Sequence, residues 1–154
     1  MHSRAADLIR TLALRPHPEG GHFAEVFKSP HRVGARAALT TIYFLLAEGE
    51  CSRWHRIVAD EVWHYYEGDP LELVWEDGEA GVRRVQLGPV ATGRRPVAVV
   101  PAGAWQAARP FGAYTLVGCT VAPGFEYADF ALVGDLPAEA ARLRALYPDL
   151  ADLL

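Results

Sequence analysis

Cysteine is scarce in this chain: Cys51 and Cys119 are the only two among 154 residues. Two thiols are too few for the disulfide framework of a small secreted domain. Both sit in apolar, strand-like surroundings, so buried free thiols are expected. No run of Lys or Arg exceeds two adjacent residues and the net charge is −4, which argues against nucleic acid or an anionic membrane as partner. No apolar run approaches the roughly 18 residues of a membrane span. The N-terminal stretch MHSRAADLIRTLAL is amphipathic, carries Asp7 and lacks the continuous apolar core of a signal peptide. The cytoplasm is the expected compartment. Internal repeats and low-complexity tracts are missing too.

What is present suffices for one core. Hydrophobic residues make up 51% and charged residues 22% of the chain, and residues 1–154 read as a single domain. A domain of this size buries roughly 70% of its unfolded surface, so its stability needs neither disulfide nor metal. Helical spacing is confined to the ends, over residues 3–14 with Ser3 as the expected N-cap, and after Pro137. Between them lie short alternating or β-branched segments at 22–28, 39–46, 51–57, 61–66, 71–75, 82–87, 97–100, 105–108 and 114–121. The stretch 15–21 reads as a turn, Asp77-Gly78 as a hairpin signal, and 77–81 and 88–96 as the expected mobile loops. Short strands separated by Gly and Pro turns, with helices only at the ends, predict an all-β sandwich or barrel with a core over about residues 22–133.

The chemistry concentrates between Gly49 and Gly68, where His55 and Glu61 stand on two strand-like segments joined by a tight turn at 58–60. Side chains alternate along a strand, so His55 shares a face with Ile57, and Glu61 with Trp63 and Tyr65. Folding one strand back on the other brings His55 and Glu61 to one interior. A second turn, Pro101-Ala102-Gly103, aims Gln106 inward.

The spacing from Gly49 to Gly68 resembles the first signature of the cupin superfamily, G-x5-H-x-H-x3-E-x6-G, with Ile57 in place of the second His. Residues 101–106 resemble the second signature, P-x-G-x2-H, with Gln106 in place of the His. The chain is similar in finer detail to the fifth cupin family, a domain of unknown function. The similarity is carried by HPEGGHFAEVFKS (17–29), IYFLL (42–46), WHR (54–56), DEVWHYYEGDPLEL (60–73), VVPAGAWQAA (99–108) and LVGCTVAPGFEYADFAL (116–132). The resemblance implies a double-stranded β-helix, that is, a jelly-roll barrel, with short N- and C-terminal helices. It also implies a homodimer and a pocket in the barrel mouth. In shape the family is similar to sugar-nucleotide epimerases and seed-storage cupins, and it supplies no reaction.

In metal-binding cupins three His and one Glu hold the ion. The matching ligands here are His55, Glu61 and Gln106, for zinc, iron, manganese or nickel. Two strong ligands and a neutral amide are a poor set for tight binding, so no metal is the leading expectation. Without one, His55 and Glu61 form an acid–base pair whose pKa values burial displaces.

Around that pair, Trp63, Tyr65, Trp105 and Phe125 are expected as aromatic pocket walls. His64 falls on the face opposite Glu61, and only a β-bulge re-aims it inward as a further catalytic candidate. Glu25 and His22 flank Gly20-Gly21, a loop placed to close over the pocket, and Glu19 in that loop reads equally as surface or rim. Tyr127 and Asp129 belong at the rim. Arg53 shares the inward parity of His55 and favours an anionic ligand, whereas Arg56 points away.

Three functions fit these residues. The first is an isomerase- or epimerase-type enzyme acting on a small polar metabolite, carbohydrate-like or anionic, through His55 and Glu61. The second is a metal-dependent oxygenase or lyase, and the third a non-catalytic binding protein.

Overall fold

β-branched and aromatic residues, interrupted by glycine and proline turns, build two six-stranded sheets. The computed structural model describes residues 1–154 apart from the side chain of Glu79. One sheet runs in the order β1 (Arg15–Pro16), β2 (His22–Lys28), β5 (Thr40–Ala47), β13 (Tyr114–Ala122), β7 (Asp60–Gly68) and β11 (Val97–Val100). The other runs β10 (Arg94–Arg95), β9 (Val82–Leu87), β8 (Leu71–Glu76), β12 (Gln106–Pro110), β6 (Ser52–Arg56) and β14 (Ala131–Leu132). A separate ribbon pairs β3 (Arg32–Val33) with β4 (Arg36–Ala37). Late strands interleave with early ones: β13 lies between β5 and β7, and β12 between β8 and β6. This interleaving is the jelly-roll barrel expected from the sequence.

The space between the sheets is divided in two. One end is packed solid by Leu46, Trp63, Leu71, Leu73, Trp75 and Leu87, with Phe23 and Phe44 at its border with the other end. At the other end Ile57, Ala59 and Val121 pack with Phe125 and Phe130 around a cavity. Helices seal the outer faces. α1 (Ser3–Thr11) lays Ala5 and Leu8 on Leu45, Ala47 and Leu116 of the first sheet. α2 (Pro137–Leu146) and the turn of helix at Pro148–Leu153 press Leu143, Leu150 and Leu153 onto Trp54, Val74 and Trp105 of the second. Each buried leucine contributes about 1.5–3 kcal/mol. Among the described residues no helix is long and apolar enough to cross a membrane. Cys119 is buried, Cys51 half-buried, and both are free.

Several boundaries differ from the sequence reading. α1 stops at Thr11 because Ala13 takes a positive φ of 52°, and its first turn is capped by His2 Nδ1, which accepts from Arg4 N–H, rather than by Ser3. Arg15–Pro16, read as a turn, pairs with His22 and Phe23 as an edge strand. The strand expected from Trp105 begins at Gln106. β8 and β9 pair antiparallel, as the Asp77-Gly78 signal implies, but through a short 3-10 turn at Gly78–Ala80.

Candidate functional site

The cavity, of about 170 Å³, opens at the barrel end where β6 hands over to β7. His55 reaches it from the second sheet and Glu61 from the first; their residue exposures are 2% and 8%. The two share this cavity, as their parity implies, but each has another partner. Glu61 Oε2 accepts from Gln106 Nε2 at 2.5 Å, and the Cys119 thiol donates to the same carboxyl group. His55 Nε2 faces Glu19 Oε2 at 3.4 Å.

Glu19 is the residue the sequence reading left between surface and rim. It is 6% exposed and belongs to the cavity wall. Two glycines put it there. Gly20 and Gly21 both take positive φ, 114° and 67°. A Cβ on Gly20 would lie 2.1 Å from the Cys51 carbonyl oxygen, and one on Gly21 2.7 Å from that of Leu45. Only glycine lets the loop lie this close to the barrel. The loop is pinned by Arg53, whose backbone N–H donates to Glu19 O at 2.9 Å and whose guanidinium donates to Pro18 O at 2.6 Å. Gly20→Ala is therefore expected to destabilise the protein by about 1–3 kcal/mol through backbone strain. It should also displace Glu19 from His55. Urea unfolding checks the first effect; a midpoint matching the wild type contradicts this account of the loop.

Hydrogen bonds assign the protons. His55 Nδ1–H donates to Arg53 O at 2.7 Å, leaving the Nε2 lone pair toward Glu19. His17 Nδ1 accepts from Glu19 N–H at 3.3 Å, so its lone pair also lies on the Glu19 side, 3.5 Å from Oε2. Ser52 Oγ–H donates to Glu19 Oε1 at 2.7 Å. Glu19 Oε2 thus faces the free Nε2 lone pair of His55, an arrangement that favours the protonated acid. Burial acts in the same direction. It pushes Glu19 up to about 8 against the pull of Ser52 and Arg53. It raises Glu61 to about 7, opposed by His55 and the Gln106 hydrogen bond. Burial also lowers His55, and lowers His17 to about 4 with help from the His55 charge. Near neutrality the cavity holds neutral imidazoles and at least one neutral carboxylic acid.

Beneath Glu61, Gln106 is 1% exposed. Its Oε1 accepts from Trp63 Nε1–H at 3.1 Å. Because an indole N–H only donates, this bond fixes the amide with its NH2 group toward Glu61. Trp63 is therefore a core residue that orients Gln106, not a cavity wall. Tyr65 packs against the solid half of the barrel and donates its hydroxyl to Gly68 O at 2.6 Å.

Three further expectations need correction. Trp105 lies on the outer face of the second sheet, against the C-terminal helical segment and with the Arg56 guanidinium 4.7 Å from its ring centroid. It is adjacent in sequence to inward-facing Gln106, so alternation sends it out. Arg53 is exposed and does not line the cavity. A register shift between His55↔Gln106 and Ser52↔Ala108 places a bulge in β6 that breaks its parity with His55. His64 sits opposite Gly118 and Val97 in the regular part of β7, so no bulge re-aims it.

Phe125 and Glu25 do reach the cavity, as does Tyr127; Phe130, Phe23, Phe44 and His17 join them without having been singled out. His22 pairs loosely with Glu50 at 3.6 Å instead, and Asp129 forms an ion pair with Arg36.

A jelly-roll barrel whose polar residues converge from strands β6 and β7 on a cavity between its sheets, with Gln106 of β12 bonded beneath Glu61, defines a cupin-type protein. The family model described as Cupin superfamily (DUF985) matches residues 6–133, and the chain belongs to this family of cupins. It is similar to a solved protein from Shewanella oneidensis at 35% identity, covering 96% of this chain and 92% of that one, with a TM-score of 0.84. A hypothetical protein from Leishmania major is 36% identical over 97% of this chain and 96% of its own, with a TM-score of 0.83. Oxalate decarboxylase from Bacillus subtilis matches at 13% identity over 90% of this chain and 36% of its own, TM-score 0.63, a likeness of fold alone. None of the curated proteins compared matches the chain.

The residues present do not fit the metal that many cupins hold. Ile57, buried at the second ligand position, has no donor atom. Gln106 turns its amide nitrogen, which has no lone pair to give, toward Glu61. Among the described residues no three His, Cys, Asp or Glu side chains are arranged to hold an ion.

Proposed function

We propose that this protein is a proton-transfer enzyme of the isomerase or epimerase type, acting on a small polar metabolite. One observation carries the reading: two proton-exchanging groups stand on different walls of one buried cavity. The Glu19–His55 pair is held by the 17–21 loop and β6, and Glu61 comes from β7. Glu61, raised to about 7, has a pKa near that of an efficient general base at neutral pH. In the proposed cycle Glu61 takes a proton from a carbon beside a carbonyl, and the C–H electrons form the enol double bond. The Glu19–His55 pair gives its proton to the carbonyl oxygen. Return of the proton to the former carbonyl carbon, as the hydroxyl proton on the first carbon passes to the Glu19–His55 pair, isomerises an α-hydroxy carbonyl substrate. Return to the opposite face of the first carbon after the enol turns over, with the enol O–H proton passing back to the pair, epimerises it. Gln106 keeps the ionised Glu61 oxygen hydrogen-bonded between steps. A cavity of about 170 Å³ compares with cavities that accept benzene, so the enclosed part of the substrate has on the order of ten non-hydrogen atoms or fewer.

Deuterium wash-in tests this reading. Small hydroxy-aldehydes and hydroxy-ketones shown to bind are incubated with the protein in deuterium oxide and followed by proton NMR. The expected result is loss of one C–H signal with the wild type, slowed on the order of 10²–10⁴-fold in Glu61→Gln. A ligand that binds in the cavity and never exchanges a proton counts against an enzyme.

A further inference from the structure

The buried acids of this cavity lack something that buried acids elsewhere have. Among the described residues no Lys or Arg side chain forms an ion pair with Glu19 or Glu61; their partners are Ser52, Gln106, Cys119 and imidazole nitrogens. Buried carboxylates are ordinarily matched by a cation. Glu25 adds a third carboxyl to the lining, against a single guanidinium, that of Arg15.

The walls point the same way. Phe125, Tyr127 and Phe130 line the cavity together. Phe125 and Tyr127 have ring centroids 4.9 Å apart at 82°, Tyr127 and Phe130 are 6.4 Å apart at 79°, and Phe125 and Phe130 are 6.0 Å apart at 67°. The three rings pack edge to face along one wall, and aromatic rings lining a cavity supply the negative face potential that attracts ammonium groups. The cavity already displays this affinity at its edge, where Arg15 places its guanidinium carbon 5.0 Å from the centroid of Phe23.

We propose that the cavity takes a small organic cation, its ammonium group seated against Phe125, Tyr127 and Phe130 with Glu61 as counter-charge. The inference rests on the reading that this cavity is the working site, and it specifies the substrate class as an amino-bearing metabolite rather than an anionic one. Aromatic walls are no donors to a metal ion, so an organic cation fits this site better than a bare one. A nearby positive charge favours the carboxylate form of Glu61, the base of the proposed cycle, while Glu19 keeps its proton for the carbonyl oxygen.

The test compares choline with dimethylbutanol, its uncharged carbon isostere, by isothermal titration calorimetry on the full chain. Choline is expected to bind about tenfold more tightly or better. That preference should shrink to about threefold or less in Glu61→Gln and in Tyr127→Leu, with the affinity for dimethylbutanol little changed in either. Because Tyr127 is half-exposed, the second variant keeps the result readable if the first perturbs the core. Equal affinities, a preference for the neutral compound, no binding of choline, or a preference that survives both substitutions overturns the proposal. Deuterium wash-in on a hydroxy-ketone alongside failed choline binding refutes the cation and leaves proton transfer standing. Choline preference without exchange on any bound ligand does the reverse.

Discussion

Trp63→Ala is expected to lower the stability of the fold by about 3–5 kcal/mol, the cost of removing a large buried aromatic ring from a packed core. Trp63 is 1% exposed and packs in the solid half of the barrel beside Phe44, with ring centroids 6.0 Å apart. The melting temperature should fall by roughly 6–20 °C for a chain of this size. The consequence for the site is read better in Trp63→Phe, which keeps most of the volume and removes only the N–H. Gln106 Oε1 then loses its donor, and the amide is free to turn that oxygen toward Glu61. A carbonyl there accepts from the protonated acid, so the pKa of Glu61 should climb above about 7. An unchanged Glu61 in Trp63→Phe would show that the indole does not set the amide's orientation.

A second large effect is expected in the dependence of stability on pH. Glu19 and Glu61 are raised in the folded state, from 4.5 to about 8 and about 7. Their contribution is fully present below pH 4.5 and is lost as pH rises through the folded values. His17 is lowered from 6.5 to about 4, and His55 is lowered as well. Their contribution is fully present above 6.5 and is lost as pH falls. Between 4.5 and 6.5 the unfolded chain carries protons on the two imidazoles while the folded chain carries them on the two acids, so these slopes offset and a plateau results. Above 6.5 the imidazoles drop out, and only the acids of the folded state still hold protons. Stability should therefore fall by about 1–2 kcal/mol between pH 6.5 and 8, after the last of the imidazole titration is set against the two acids. Glu19→Gln should remove most of that fall, because a neutral amide needs no proton. Urea unfolding across this range checks both; a wild-type stability that is flat or rising from 6.5 to 8 contradicts the account.

Side-chain alternation made one part of the site legible and misled in another. His55 and Glu61 reach the cavity because parity within β6 and β7 and the turn between them suffice to place them. The same rule, applied across the Trp105–Gln106 step, excludes Trp105 once Gln106 is taken as inward, so that signal was present in the sequence. Arg53 was not legible: one extra residue between Ser52 and His55 shifts the register, and no local pattern announces the bulge. Glu19 was the hardest to read. Its partner Ser52 lies 33 residues away, and the contact depends on a loop closing on a different strand. The Gly20-Gly21 pair was the available clue, since two adjacent glycines permit a backbone approach that brings the preceding residue inward. The barrel was easier to read, because alternation and turn chemistry recur along its whole length. Which end of the barrel is filled depends on long-range packing of Trp63, Trp75 and Phe44, which no short window contains.

The central claim is that this cavity keeps buried acids protonated near neutrality, ready to exchange protons with a substrate. Carbon NMR of the glutamate side-chain carboxyls, followed through a pH titration, measures it directly. Two carboxyl carbons are expected to titrate at about 8 and about 7, the first signal vanishing in Glu19→Gln and the second in Glu61→Gln. A spectrum in which every glutamate is fully ionised by pH about 6, as ordinary solvated carboxyls are, would contradict it.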